Sequence, residues 1–123
     1  MSDTAEDRQA TGTSGPWLTH ALFGGILAWM VHLVGMAWSV GRACATGQLW
    51  PFHVLTVVTF ALAAHALWAG WRVVRADDPS ARVRAAHLLG WFAIVLNVFN
   101  LVLIVVEWVP VMVIDPCLGG ALT

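Results

Sequence analysis

Three runs of apolar residues, each free of acidic and basic side chains over some twenty positions, dominate this chain and set what it can become. The first follows Pro16 and reaches about Ala43, with Ala21 to Gly41 as its uncharged core. At 1.5 Å per residue that core spans roughly 31 Å, about the thickness of a bilayer interior. The second run, Phe52 to Val74, carries no charge until Arg72, and the third extends from Ala81 to Ile114 around the uncharged stretch His87 to Val106. A soluble three-helix bundle needs a polar face on each helix. None of these runs has one, and only 11% of the 123 residues are charged, against about 25% in soluble domains. The pattern predicts an all-α integral membrane protein, a bundle of three transmembrane helices over about 17–43, 52–74 and 81–114.

Prolines and turn residues punctuate these runs. Pro16, Pro51 and Pro79 stand at first-turn positions, where a missing N–H costs nothing. Asp78 reads as an N-cap for the third helix, and Asp115-Pro116 ends it. Residues 1–15 are polar and are expected to be a disordered cytoplasmic tail; they lack the basic-then-apolar order of a secretory signal. Residues 16–123 form the membrane domain.

Basic residues set the orientation. Arg72, Arg75, Arg82 and Arg84 flank the second connection, whereas Arg42 alone lies near the first. The positive-inside rule places the second connection and the N-terminus in the cytoplasm and the C-terminus outside. Trp17, Trp68, Trp71 and Trp91 then fall near the inner interface, and Trp50 and Trp108 near the outer one. For a bacterial inner membrane, Cys44 and Cys117 emerge together on the oxidising side, and a disulfide between them is expected, with two free thiols as the alternative.

Helices in lipid associate through small residues and interhelical hydrogen bonds. The first helix carries the seam Ala21, Gly25, Ala28, His32, Gly35, Ser39, Arg42, and the third carries Ala86, Gly90, Ala93, Asn97, Asn100, Ile104, Glu107. The offset is constant: 107 − 42 = 65 and 97 − 32 = 65. That register predicts a His32–Asn97 hydrogen bond and an Arg42–Glu107 ion pair; the competing reading lets Glu107 and Arg42 reach headgroup water separately. It also leaves Cys117 about 12 Å beyond the level of Cys44 unless Pro110 or the Asp115-Pro116 turn brings the tail back. The second helix has its own small-residue line, Thr56, Thr59, Ala63, Ala66 and Gly70.

Ionisable residues inside a membrane segment are candidate sites by default. His32 and His65 are deep, and His20 and His87 lie near the inner interface. These four are the residues that a haem b or a quinone would use. Helix counting puts His32 and His65 at different depths and matches His20 better with His87. A neutral histidine bonded between helices is the plainer alternative. The chain shows no nucleophile–base constellation, phosphate loop or metal motif, so catalysis by this chain alone is not expected, and its net charge of −1 gives no reason to expect nucleic acid.

The stretches Ala28-Trp29-Met30-Val31-His32-Leu33, Ala43-Cys44-Ala45-Thr46-Gly47 and His53-Val54-Leu55-Thr56, followed by the ending Asp115-Pro116-Cys117, occur in an order that resembles a family of small three-helix membrane proteins encoded beside caa3-type haem-copper cytochrome oxidase genes. The resemblance spans most of the chain from Pro16 to Cys117. It implies an accessory structural or assembly subunit of a respiratory electron-transfer complex. The apolar and aromatic helix faces make larger membrane subunits and lipids the expected partners, and no cofactor of its own is expected. The alternative is a membrane electron carrier that binds haem or quinone through its histidines.

Overall fold

The computed structural model describes the backbone of residues 3–75 and 81–117 and the side chains of residues 15–75 and 84–117. It contains three helices, α1 (Asp3–Thr46), α2 (Trp50–Val74) and α3 (Ala81–Val113), each packed against the other two. Each contains a segment long and apolar enough to cross a membrane: Gly15–Thr46, Trp50–Val74 and Arg84–Val113. The chain is therefore an all-α bundle of three membrane-spanning helices.

The ends lie close to the expected positions except at the N-terminus. α1 begins at Asp3, so the stretch expected to be a disordered tail has helical backbone, and Pro16, expected in a first turn, lies inside the helix. Ala5, Glu6, Arg8, Gln9 and Ala10 are serviceable helix formers. Adding them to a helix already nucleated by the apolar span avoids the cost of starting a new one. The first connection is short because Gly47 turns the chain at once. Its φ of 70° is the left-handed conformation that ends helices, and its amide donates to Ala43 O at 2.7 Å. Pro51 lies in the first turn of α2. The Asp78-Pro79 cap falls outside the described residues. α3 ends at Val113, two residues before Asp115, and Asp115 Oδ1 accepts a hydrogen bond from the Cys117 amide at 2.9 Å.

The core is built in layers, all alanine at the arginine-rich end and with the larger Ile104, Met36 and Phe52 toward the disulfide. Ala21, Ala69 and Ala93 form one layer, Ala28, Ala63 and Ile104 the next, and Met36, Ala43 and Phe52 the last. Lipid supplies no hydrophobic drive between helices, so close backbone approach is what holds such layers together. At the α2–α3 crossing, a Cβ added to Gly90 would meet Val74 Cγ2 at 2.9 Å and Gly70 O at 3.5 Å. At the α1–α3 crossing, a Cβ on Gly25 would overlap Asn97 Oδ1.

The faces match the seams, but the register of α1 against α3 does not. Asn97 Nδ2 donates to Ala21 O at 2.7 Å, a separation of 76, and His32 meets Glu107 at a separation of 75. The expected separation of 65 is short by about three helical turns. A slide of three whole turns leaves the same face pointing at the neighbour, so a periodic seam cannot distinguish the two registers. The disulfide can. Cys44 and Cys117 are bonded, with Cα atoms 5.4 Å apart and a sequence separation of 73. The disulfide and both polar contacts thus agree on one alignment, and the expected 12 Å mismatch between the cysteines disappears with the wrong register.

Candidate functional site

Two groups of polar side chains lie inside the bundle, one buried toward the disulfide end and one open toward the arginine-rich end.

The buried group centres on His32 of α1, whose side chain is fully enclosed. Its Nε2 lies 3.0 Å from Thr56 Oγ1 of α2, and its Nδ1 lies 3.0 Å from Glu107 Oε2 of α3. Thr56 donates its hydroxyl proton back to Phe52 O at 2.8 Å, the usual habit of a helical threonine. The hydroxyl oxygen therefore accepts, and His32 Nε2 carries a hydrogen. One proton then lies between His32 Nδ1 and Glu107 Oε2. Whichever atom holds it, the histidine and carboxyl together are neutral, which suits a site with little water. Trp29 Nε1 donates to Glu107 Oε1 at 2.8 Å. One histidine thus joins all three helices, and a carboxyl that is 24% exposed is held from two sides.

Asn97, also fully enclosed, forms a separate link between α1 and α3 nearer the arginine-rich end. Its Nδ2 is bonded to Ala21 O, and its Oδ1 faces Gly25 without a conventional donor. A Cβ at Gly25 would point straight at that oxygen, so a glycine Cα–H occupies the direction instead, the weak contact common where helices approach closely. Asn100 Nδ2 donates to Leu96 O of its own helix at 2.9 Å.

Several expected contacts are corrected. His32 does not bond Asn97; it bonds Glu107 and Thr56. Glu107 does not pair with Arg42. Arg42 is exposed, and its Cζ lies 5.6 Å from the ring centroid of Trp38, one turn back on the same helix. Both corrections follow from the three-turn shift, which raises Asn97 to the level of Ala21 and leaves Arg42 well beyond Glu107.

The open group lies between α1 and α2. His20 Nε2 and His65 Nδ1 are 2.8 Å apart, so one imidazole donates to the other. Trp68 lies against His65, with ring centroids 5.4 Å apart, and Trp17 meets Trp68 edge-on at 5.5 Å. Arg72, one turn on from Trp68, has its Cζ 5.1 Å from the centroids of both Trp17 and Trp68. His20 is therefore paired with His65 and not with His87, which lies beside Trp91 on α3. His53 accepts a hydrogen bond from Trp108 Nε1 at 3.1 Å, tying α2 to α3 on the disulfide side.

This geometry bears on haem. An axial pair needs about 4 Å between ring nitrogens, from metal–imidazole bonds of about 2.0–2.1 Å each. His20 and His65 touch directly, and both nitrogens of His32 are engaged by protein groups. The four candidate histidines do not fit a haem as they stand. No group of three or more His, Cys, Asp or Glu that could hold a metal ion occurs among the described residues.

Sequence reasoning singled out His32, Glu107 and Asn97 and placed Thr56 on the packing line of the second helix, but missed Trp29, the bond between Thr56 and His32, and the His53–Trp108 contact. Trp29 stands three residues before His32, so it shares that side of the helix. That spacing was the available signal. No family model matches the chain, nor does any curated protein or solved structure.

Proposed function

We propose that this chain is an accessory structural or assembly subunit of a respiratory electron-transfer complex of the cytochrome oxidase type, in a bacterial inner membrane. The observation that carries the reading is the use made of its polar groups. His32, Glu107, Thr56, Trp29 and Asn97 all bond across helices and bind the three spans into one unit, with a disulfide at the end. Large apolar side chains such as Phe23, Leu27, Val57, Leu88, Val95 and Phe99 point outward. A small, internally fastened bundle of this kind suits packing beside larger membrane subunits. The likeness of its motif order to oxidase-associated three-helix proteins supplies the class of complex. In this reading the N-terminus and the arginine-rich connection lie in the cytoplasm and the disulfide outside.

Affinity purification of the tagged chain in mild detergent, with mass spectrometry and a visible spectrum, tests it. The expected result is co-purification with larger membrane subunits whose haem absorbs, and no haem absorbance in the chain once separated. Recovery of the chain alone or only as a homo-oligomer would refute the accessory role. A Soret band retained by the separated chain would favour the electron carrier.

A further inference from the structure

We propose that Arg72, Trp17, Trp68 and the His20–His65 pair form a headgroup site for one anionic phospholipid. Arg72 is held between two helices. Its guanidinium lies 5.1 Å from two indole centroids, one on each of two helices. The two rings are set at 80° to each other, so the planar guanidinium can stack on only one of them; turning one N–H edge to the other still leaves a second edge for an anion. That edge is the planar fork that meets a phosphate with two hydrogen bonds. Arg72 and Trp68 are exposed at the bundle surface, so the fork is reachable from lipid.

The histidines extend the site in the direction a lipid needs. His65 precedes Arg72 by seven residues on α2, about 10 Å deeper into the span. A phospholipid carries its glycerol and ester oxygens on the tail side of its phosphate, so a phosphate at Arg72 brings those oxygens toward the histidines. His20 Nδ1 is turned inward, where a Cβ on Gly24 would meet it at 2.9 Å, and His20 Nε2 is bonded to His65. The exposed His65 keeps its Nε2 for the ligand. In a His–His hydrogen bond one ring nitrogen donates and one accepts, so the pair always retains one further N–H and one further lone pair.

The site's location selects the ligand. It lies at the end bearing Arg72, Arg75, Arg82 and Arg84, which the positive-inside rule assigns to the cytoplasmic leaflet. Anionic lipids there favour basic pockets between helices. This inference holds whether or not the chain joins a larger complex.

Native mass spectrometry of the full delipidated chain in detergent tests it, with short-chain phosphatidylglycerol, phosphatidylcholine of the same chain length and inorganic phosphate as probes. One phosphatidylglycerol should bind at least about tenfold more tightly than phosphatidylcholine, and Arg72→Gln should abolish that preference. Arg72→Lys, which keeps the charge without the fork, should lose most of it. His65→Ala should weaken binding a few-fold, and Arg84→Gln, a charge at the same end but outside the site, by less than about threefold. The Cys44–Cys117 bond, read by intact mass, reports that each variant has folded. Equal binding of the two lipids, equal losses in Arg72→Gln and Arg84→Gln, or inorganic phosphate binding as tightly as the lipid would each overturn the proposal.

Discussion

His32 and His65 lie in the same bundle, yet one is fully enclosed with both ring nitrogens engaged and the other is exposed with one. The two sites sit at different levels, His32 lying about 18 Å along α1 from His20, the partner of His65. Toward the disulfide end, polar chemistry is turned inward and fastens helices. Toward the arginine end, it is turned outward between indoles. An intramembrane histidine thus has no single meaning. What decides its role is whether the neighbouring helices complete its hydrogen bonds or leave one for a visitor.

Breaking the fastened end should cost most. Cys44→Ser removes a link between residues 73 apart in sequence. For a random-coil reference, closing a loop of that size corresponds to about 4 kcal/mol. In lipid the helices persist when the bundle opens, so the reference chain is less free, and a loss of about 2 kcal/mol is expected in detergent unfolding of the variant. Reductant should lower the stability of the wild type by a similar amount and leave Cys44→Ser unmoved. His32→Ala ranks next. It leaves Glu107 to Trp29 alone and removes the bridge from α1 to Thr56, at a cost of about 1–2 kcal/mol.

Glu107 offers a finer test. Glu107→Leu leaves His32 Nδ1 without a partner and should cost about 1–2 kcal/mol. Glu107→Gln should cost less than about 1 kcal/mol, because the amide N–H can supply the hydrogen that the carboxyl and imidazole share. Equal losses in the two variants would contradict the shared-proton arrangement. The smallest effect is expected at the open end. His65→Ala breaks one hydrogen bond at a lipid-facing position and should cost no more than about 0.6 kcal/mol in lipid-free detergent. A loss as large as that of His32→Ala would erase the distinction between the two ends.

The legibility of this fold in its sequence divides along physical lines. Apart from the start of α1, helix ends were legible because Pro51 and the charged flanks act locally. Helix faces were legible because small residues recur at helical spacing, and Ala21, Gly25, Ala28, His32 and Ser39 are buried, as are Gly90, Ala93, Asn97, Asn100 and Ile104. Depth was not, because a seam with a repeat near one turn looks alike after a slide of whole turns. The deciding information was a single number, 117 − 44 = 73, which the disulfide imposes and which the His32–Glu107 separation of 75 matches to within two residues. At the candidate sites, the histidines drew attention through their rarity in membrane spans. Their partners Trp29 and Thr56 did not, because a tryptophan and a threonine are ordinary in such helices.

The His32–Glu107 contact requires α1 and α3 to be aligned so that Ala28 shares a layer with Ile104. Cysteine crosslinking in membranes measures this directly, in a background carrying Cys44→Ser and Cys117→Ser. Ala28→Cys combined with Ile104→Cys should form an intramolecular disulfide on mild oxidation, and Ala28→Cys combined with Ala93→Cys should not. Crosslinking through residue 93 and not through residue 104 would restore the rejected register and contradict the structure described.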